Sequence, residues 1–418
     1  MIKHLRWYIV GLLTLATTVN YLDRQALSIA APLLRETYGM TNTDYAMIVQ
    51  AFMISYCIMH PLMGWIIDRL NTRRGFSLAV IWWSLANMLH AFAGGVGSFA
   101  VCRFLLGMGE AGNFPACIKT VAEWFPARER AMATGIFNMG AGFGAILAPP
   151  IVVWLIHAFG WQSAFIATGA AGFLWVIAWL ALYHPPESHP RLDPAELAFI
   201  RAGQEKETEA PQDRRGVWRE LIRRRELWGL MLARFVSDPV WWFYIFWLPD
   251  YLKNARGFSL TQIAIFAWMP FLSADFGSLA GGFLSSLLVR RGLKLLTARK
   301  TAMCICAAIM PVALLVVKTS NPYLALFYIC LATFGHQAWA ASLLTLPADL
   351  FPKRQVATAY GISGSASSLG GFAFAPIVGL ILDHAGYGPV FTIVGLLHPL
   401  AALIIVATVH QSRPSGQT

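Results

Sequence analysis

The stretch AVCRFLLGMGEAGNFPACIK, residues 100–119, is apolar at both ends yet carries Arg103 and Glu110 inside. These residues are seven positions apart, or two helical turns, so both side chains leave the same face of a helix. Gly107 lies between them on that face and allows a neighbouring backbone to approach. A charge at the centre of a membrane helix costs about 2.5–3.5 kcal/mol, so two charges on one face indicate a polar protein interior. The stretch is therefore a candidate transport site.

The composition places the whole chain in a membrane. Hydrophobic residues make up 57% of the 418 residues and charged residues only 13%, whereas soluble proteins carry about 25% charged residues. Continuous apolar runs recur along the chain, each near the roughly 20 residues that cross a bilayer. Because these runs are continuous rather than alternating, they exclude a transmembrane β-barrel. The sequence predicts an all-α membrane protein.

The apolar runs predict about twelve transmembrane helices in two groups of six. The predicted spans are 7–30, 45–67, 75–93, 98–119, 130–156, 162–183, 226–252, 260–289, 300–317, 322–348, 355–382 and 388–409. We therefore expect an N-terminal six-helix bundle at 1–183, a cytoplasmic linker at 184–225 and a C-terminal six-helix bundle at 226–418. In the linker, Asp193-Pro194-Ala195-Glu196 predicts a short surface helix with Asp193 as its N-cap.

The net charge of +11 follows the membrane topology rather than a nucleic-acid partner. Arg and Lys cluster in alternate loops, a positive-inside pattern that predicts cytoplasmic termini. These clusters lie at 69–74, 128–130, 214–225, 290–300 and 353–354. All six cysteines lie inside apolar runs, so we expect packing residues and no disulfide framework.

The two halves of the chain repeat each other. WFPARERAMATGI (124–136) recurs as LFPKRQVATAYGI (350–362), an offset of 226 residues. At that offset Glu110 corresponds to His336. Two related six-helix halves place a transport site at their shared interface near mid-membrane, so we expect Glu110 and His336 to approach a central cavity from opposite sides. A packed, hydrogen-bonding histidine is the alternative for His336.

GWIIDRLNTRR, residues 64–74, resembles the loop 2–3 signature GxxxDRxxxRR of the major facilitator superfamily. The resemblance implies a gating motif formed by Gly64, Asp68, Arg69 and Arg73. Gly64 allows close helix approach, and Asp68 can pair with the loop arginines or with a positive helix N-terminus. We expect Lys119 to snorkel to the membrane surface.

A finer resemblance is to the anion:cation symporter family, and within it to bacterial hexuronate transporters. It is carried by NYLDR (20–24), by Arg103 with GEA (109–111) and Pro115, by EWFP (123–126) and by WWFYIFWLP (241–249). The resemblance implies the major facilitator fold of two pseudo-symmetric six-helix bundles. It also implies proton-coupled import of a carboxylated sugar by alternating access.

The same resemblance implies roles for individual residues. Arg24 would bind the substrate carboxylate, while Asp23 and Glu110 would take the protons, with Arg103 beside them. Further substrate contacts implied on the first two helices are Tyr21 and Tyr56.

The aromatic run on the seventh helix leaves two interpretations open. Trp241, Trp242 and Tyr244 could stack on a sugar ring, or they could pack in the protein core.

The chemistry of the charged residues supports a link between anion and proton binding. Asp23 and Arg103 both fall toward the outer parts of their helices, so we expect them to pair, with Arg24 aimed into the cavity. An arginine presents a planar fork that suits a carboxylate. A substrate carboxylate bound to Arg24 or to Arg103 would remove counter-charge from a nearby acid and favour its protonation, a reciprocal coupling.

The resemblance implies a monomeric symporter that takes up protons and a small anionic sugar acid, such as glucuronate or galacturonate. The alternative is an importer of an aldonate or an aromatic carboxylate, which the aromatic residues would also suit. A drug/proton antiporter is disfavoured because two cavity arginines repel cationic drugs. The sequence has no nucleophile–base arrangement, metal-ligand cluster or phosphate loop, so it predicts no enzyme, no cofactor and no metal site. A transporter-like sensor is disfavoured because no soluble signalling domain is evident.

Overall fold

The computed structural model describes residues 4–204, 217–259, 262 and 265–410, and their regular structure is helical throughout. The α-helices are α1 Leu5–Tyr38, α2 Asn42–Leu70, α3 Thr72–Leu89, α4 Val96–Glu110, α5 Asn113–Trp124, α6 Ala127–Asn138, α7 Gly140–Phe159, α8 Trp161–Leu182, α9 Pro194–Ala202, α10 Val217–Arg223, α11 Arg225–Ser237, α12 Pro239–Asp250, α13 Met269–Arg290, α14 Leu295–Ala307, α15 Ala313–Val316, α16 Pro322–Leu350, α17 Val356–Ala385 and α18 Tyr387–Thr408. Four parts of the predicted linker and C-terminal bundle lie outside the described residues, namely 205–216, 260–261, 263–264 and 411–418.

Nine helical segments among the described residues are long and apolar enough to cross a membrane. They are Asp44–Leu70, Thr72–Phe92, Ala127–Phe159, Trp161–Leu182, Met269–Arg290, Leu295–Val316, Pro322–Leu350, Lys353–Leu382 and Tyr387–Thr408. The three other predicted spans are the first, fourth and seventh. These three spans contain charged residues or a break in the helix. Charged residues lower the mean hydropathy of a span and a break shortens its continuous helix, but the chain can still cross the membrane there.

Several predicted helices are interrupted, which the hydrophobic pattern did not show. The predicted span 98–119 divides into α4 and α5 at Ala111 and Gly112, and the span 130–156 divides at Met139. The predicted span 226–252 breaks at Asp238, because Pro239 has no N–H to donate. The span 300–317 begins earlier, at Leu295, and is interrupted beside Pro311 by a 3-10 turn.

The described residues fall into two compact units. The first contains the described parts of 1–126, 136–205 and 353–365, and the second those of 127–135, 206–352 and 366–418. In the first unit α1 packs against α7, α2 against α4 and α3 against α8. In the second, α13 packs along α16, and α11 packs against α18. The predicted division into bundles at the 184–225 linker stays a prediction.

The linker helix α9 is tied to the start of α1. As predicted, the Asp193 side chain caps α9 by accepting a hydrogen bond from Ala195 N at 2.9 Å. The Glu196 carboxylate accepts hydrogen bonds from Leu5 N at 2.9 Å and from Arg6 Nη1 at 2.6 Å. An acid at a helix N-terminus stabilises the exposed N–H groups there, so Glu196 anchors the linker to the first turn of α1.

The close approach expected at Gly107 is present between α4 and α2. A Cβ atom on Gly107 would lie 2.7 Å from the carbonyl oxygen of Phe52 and would also overlap Ser55 Oγ. Glycine at this position therefore lets the two helices pack backbone against backbone.

Gly107→Ala is expected to destabilise the protein, because overpacking a well-packed contact costs about 1–3 kcal/mol. Gly97→Ala in the same helix is the matched control, since nothing lies within 4 Å of a Cβ atom there. At Gly97 the better helix propensity of alanine makes the change neutral or stabilising. Melting temperatures of the two purified variants in detergent check this. Equal values for Gly107→Ala and Gly97→Ala would contradict it.

Candidate functional site

An ion pair between Arg24 of α1 and Glu110 of α4 lies at the centre of the site in the first unit. Arg24 Nη2 donates to Glu110 Oε2 at 2.7 Å, and Arg24 Nε donates to the same oxygen at 2.9 Å. The Glu110 side chain is 0% exposed, whereas that of Arg24 is 18% exposed. Glu110 is also the last residue of α4, directly before the break that separates α4 from α5. The sequence predicted both residues but not their pairing.

Aromatic rings surround the Arg24 guanidinium. Its carbon lies 4.8 Å from the ring centre of Tyr21, 5.0 Å from that of Phe52 and 5.1 Å from that of Tyr56. These distances are within the range of cation–π attraction. Arg24 Nη2 also donates to Asn20 Oδ1 at 3.3 Å. The guanidinium is thus held by rings and by one carboxylate oxygen, while its Nη1 makes no hydrogen bond to the described residues. That edge can receive a second carboxylate.

Arg103 lies beside this ion pair, but the predicted Asp23–Arg103 pair is wrong. Arg103 is 3% exposed, and its Nη2 donates to the backbone carbonyl of Arg24 at 3.3 Å. Its Nε has no hydrogen-bond partner within the described part of the chain. The Asp23 side chain points toward α3 instead of α4. Consecutive helix residues such as Asp23 and Arg24 leave the helix about 100° apart, so Arg24 faces Glu110 on α4 while Asp23 does not. Similar depth along two helices therefore did not bring Asp23 and Arg103 together.

Asp23 is bound by Asn87 of α3, a residue that the sequence reasoning missed. Asp23 is 0% exposed, and its Oδ1 accepts a hydrogen bond from Asn87 Nδ2 at 2.7 Å. The same amide nitrogen donates to Thr168 Oγ1 at 2.7 Å and to the Phe165 carbonyl at 3.2 Å. The available signal was an asparagine inside a predicted membrane span, since a buried amide needs polar partners.

The two acids of the site share one property. Asp23 Oδ2 and Glu110 Oε1 are both buried, and neither has a hydrogen-bond partner in the described structure. A buried carboxylate oxygen without a donor is costly while it carries charge. Each acid therefore holds an oxygen at which a proton can bind.

The predicted gating residues lie around Asp68 at the end of α2. Asp68 Oδ2 accepts hydrogen bonds from Thr358 N at 2.7 Å and from Thr358 Oγ1 at 2.6 Å, in the first turn of α17. A Cβ atom on Gly64 would overlap the backbone of Ala357, so the predicted close approach is present. The predicted interaction of Asp68 with a helix N-terminus is therefore confirmed.

The cation that pairs with Asp68 is Lys119, at 2.9 Å. The prediction that Lys119 snorkels to the surface is wrong, because Asp68 supplies a counter-charge inside and the Lys119 side chain is only 6% exposed. The loop arginines have other contacts. Arg69 lies 5.1 Å from the Trp65 ring centre, and Arg73 donates to the carbonyl of Leu180.

In the second unit, Trp241 and His336 stack on each other. Their ring centres are 5.5 Å apart and their planes differ by 3°. His336 is 3% exposed, and its Nδ1 lies 2.9 Å from His398 Nε2, so the two imidazoles share a hydrogen bond. His336 is thus packed and hydrogen-bonded, as the alternative interpretation stated.

The two remaining aromatic candidates lie against other parts of the second unit. Tyr244 is 1% exposed and belongs to an apolar core cluster with Phe243 and Leu248. Core packing, one of the two interpretations, therefore describes Tyr244 in this structure. Trp242 packs against Gly371, where a Cβ atom would be 2.8 Å from the indole Nε1.

A second acid–base cluster that the sequence reasoning missed surrounds Asp349. Asp349 Oδ1 lies 3.0 Å from Arg130 Nη1, and its Oδ2 lies 2.8 Å from Arg299 Nε. The side chains of Asp349 and Arg299 are both 0% exposed. The repeat was the available signal, because the 226-residue offset maps Glu123 onto Asp349.

Two further acidic residues lie largely away from solvent in the second unit. Arg234 and Asp238 pair at 3.1 Å, and Asp275 is buried with its Oδ2 lacking a partner in the described structure. No group of three or more His, Cys, Asp or Glu residues that could hold a metal occurs in the described ranges. The six cysteines are free thiols.

Sequence comparison establishes the family. The sequence model of the Major Facilitator Superfamily matches residues 13–298 and 294–418. The chain belongs to the major facilitator superfamily. This transporter is 38% identical over 415 residues to the hexuronate transporter of Escherichia coli strain K12, which covers 99% of this chain and 96% of that one. It is 39% identical over 326 residues to the galacturonate transporter of Dickeya chrysanthemi, covering 78% and 94% of the two chains.

Solved structures agree with this family at the level of the fold. The proton:xylose symporter XylE bound to 6-bromo-6-deoxy-D-glucose superposes with a TM-score of 0.77 at 17% identity, covering 99% of this chain and 98% of that one. The human organic anion transporter MFSD10 superposes with a TM-score of 0.74 at 17% identity, covering 97% and 100%. The predicted all-α major facilitator fold and the resemblance to hexuronate transporters are confirmed. The transporter is an integral membrane protein and not an enzyme.

Proposed function

We propose that this transporter imports sugar acids such as glucuronate and galacturonate together with protons, by alternating access in a bacterial inner membrane. The Arg24–Glu110 ion pair is the observation that carries this proposal. In this pair Arg24, whose guanidinium suits a substrate carboxylate, contacts Glu110, an acid that can be protonated. The identity with hexuronate and galacturonate transporters supports the substrate class.

Substrate binding at Arg24 would be coupled to protonation of Glu110. A substrate carboxylate that takes the guanidinium leaves Glu110 buried without its counter-charge, an arrangement that costs several kcal/mol. Uptake of a proton by Glu110 removes that charge. By linkage, protonation of Glu110 in turn frees Arg24 and tightens substrate binding. The Tyr21 and Tyr56 rings that flank Arg24 would contact the sugar.

Asp23 would take a second proton, since one of its oxygens is buried without a partner. A monoanion entering an inside-negative cell is opposed by about 2.3 kcal/mol per 100 mV. One proton makes the step electroneutral, and a second makes the membrane potential drive it. Arg103, buried against the Arg24 backbone, would compensate the charge of whichever acid remains ionised.

The remaining predicted residues would complete the cycle. We assign sugar contacts from the second half to Trp241 and Trp242, with His336 stacked against Trp241 to position it and with Tyr244 supporting them from the core. Gating would involve Gly64, Asp68, Arg69 and Arg73. We further propose that the transporter acts as a monomer with both termini cytoplasmic and with bundles at residues 1–183 and 226–418.

A second candidate substrate is an aromatic carboxylate. Three aromatic rings lie within 5.1 Å of the Arg24 guanidinium carbon, a setting that would also accept a planar ring. Aldonates share the carboxylate and the hydroxyl groups of the uronates and form a third option.

Uptake of radiolabelled glucuronate and galacturonate into proteoliposomes, with and without an inward proton gradient, tests the proposal. Gradient-driven accumulation of either acid supports it. Accumulation of an aldonate or an aromatic carboxylate instead would change the substrate but keep the mechanism. If the gradient changes the uptake of none of these anions, proton-coupled anion import is wrong.

Arg24→Lys is expected to lower the rate of uptake about tenfold or more, because lysine keeps the charge but loses the bidentate fork. Arg201→Lys, on the exposed face of α9, is the matched control and should transport like the wild type. The initial rates of substrate uptake by the two variants and the wild type, measured at substrate concentrations below KM, check this prediction. Wild-type rates for Arg24→Lys would show that a point charge suffices at this position.

A further inference from the structure

An apolar groove lies along α1 in the first unit. Its volume is about 720 Å³, and it is walled by α1 and α7, with the end of α8 and the start of the linker closing one end. Leu15 of α1 is 55% exposed, and Phe143 and Leu147 of α7 are 40% and 45% exposed. Side chains this apolar on membrane-spanning helices are suited to face hydrocarbon, so the groove can accept a lipid chain.

The length of the groove matches one leaflet of a bilayer. Its α1 wall runs from Leu5 to Thr18, and the thirteen helical rises between them, about 1.5 Å each, span roughly 20 Å. Half of a bilayer, including the headgroup region, is also about 20 Å thick. The groove begins where α1 meets the linker and ends near the middle of the span, so an acyl chain can lie along it from the membrane surface inward.

The linker end of the groove is polar and cationic. Arg191 is exposed there, and its guanidinium makes no ion pair or hydrogen bond with the described residues. His189 is held in place because its Nε2 lies 3.0 Å from the Leu182 carbonyl, and its Nδ1 accepts a hydrogen bond from Arg191 N at 3.1 Å. His184 lies beside it, with ring centres 5.4 Å apart.

His184 offers a hydrogen-bonding atom at the same end. Its Nδ1 is buried and has no partner in the described structure. Burial, followed by the nearby charges of Arg73 and His189, lowers the pKa of His184, so its ring is neutral at pH 7. The acids closest in sequence are Glu187, which is exposed, and Asp193, whose side chain caps α9 by accepting a hydrogen bond from Ala195 N. Neither acid pairs with Arg191, His184 or His189 in the described ranges.

We propose that this groove binds one anionic phospholipid, with an acyl chain along α1 and the phosphate at Arg191 and His184. A basic site at the membrane surface recognises an anionic headgroup, and the apolar walls accept the chain. In the proposed orientation this lipid belongs to the cytoplasmic leaflet. The inference does not depend on the transported substrate, because no residue of the Arg24–Glu110 site lines the groove.

Gly11 provides a way to close the groove without disturbing its walls. It lies on α1 within the lining, and no atom lies within 4 Å of a Cβ atom built there. A phenylalanine at this position therefore enters the groove rather than the protein core.

Native mass spectrometry of the full-length protein, offered equal amounts of phosphatidylglycerol and phosphatidylethanolamine, tests the proposal. The wild type is expected to retain one phosphatidylglycerol in preference to phosphatidylethanolamine. Arg191→Gln should lower that preference about fivefold, the value of one cationic side chain near an anionic surface. Gly11→Phe should lose the bound lipid of both kinds, whereas Arg201→Gln, an exposed arginine of α9 outside the groove, should behave as the wild type.

Two results would overturn the proposal. Equal retention of the two lipids by the wild type would exclude an anionic headgroup site. An unchanged phosphatidylglycerol count in both Arg191→Gln and Gly11→Phe would place the bound lipid elsewhere. The wild-type comparison and the two variants are independent, so poor folding of one variant, seen by size-exclusion chromatography, leaves the others decisive.

Discussion

Glu110→Gln is expected to abolish accumulation of substrate against its gradient while exchange of substrate across the membrane survives. Glutamine has the shape of protonated glutamate but cannot release a proton, so the variant remains in the form that leaves Arg24 free for substrate. In the wild type, a gradient of one pH unit should concentrate the substrate about tenfold for each coupled proton. In Glu110→Gln the substrate concentrations inside and outside should become equal.

Proteoliposome uptake and counterflow, measured on the same preparations, separate these two effects. Glu36→Gln is the matched control, since Glu36 lies on the exposed side of α1 and should leave both activities unchanged. Gradient-driven accumulation by Glu110→Gln would remove Glu110 from proton coupling. Loss of counterflow as well would assign Glu110 to substrate binding or stability instead.

Asp349→Asn is expected to produce the largest loss of stability of any substitution considered. Asp349 neutralises two arginines, Arg130 at 3.0 Å and Arg299 at 2.8 Å, and the Arg299 side chain is fully buried. Removing one partner of a buried ion pair costs about 3–5 kcal/mol, because the charge left behind is uncompensated. The melting temperature in detergent should fall accordingly.

A graded series distinguishes the lost charge from a general packing defect. Arg130→Gln removes one of the two cations and should destabilise the protein less than Asp349→Asn. The double variant Asp349→Leu with Arg299→Met replaces the pair by apolar groups and should recover part of the loss. A double variant less stable than Asp349→Asn would show that packing around these residues, rather than charge, determines the effect.

The membrane class, the approximate helix spans and the candidate residues Asp23, Arg24, Arg103 and Glu110 could be proposed from the sequence, because each rests on composition or on a local motif. The contacts could not. Glu110 pairs with Arg24, which is 86 positions away in the chain. Because Asp23 and Arg103 lie at a similar depth along their helices, Arg103 was the expected partner of Asp23. The direction in which the Asp23 side chain leaves α1 makes Asn87 its partner instead. Lys119 was expected at the membrane surface, but it is buried because it pairs with Asp68 on another helix.

Helix breaks were hidden for a related reason. The spans 98–119 and 130–156 are apolar on average, despite Glu110 and Asn113 at the first break and Asn138 at the second, so mean hydropathy does not reveal the interruptions in the backbone. Asp349 could have been found by applying the 226-residue offset to Glu123, because the repeat carries information on position that a local motif lacks.

The Arg24–Glu110 pair has a consequence for the empty carrier. With no substrate bound, Glu110 occupies Arg24 as an internal anion, and the two charges cancel. An empty carrier can then return across the membrane without exposing an isolated cation to hydrocarbon, and the membrane voltage has no net charge of this pair to act upon. Voltage would therefore act on the loaded half of the cycle only when a second proton, on Asp23, gives that half a net charge, and it would not act on this pair in the return half.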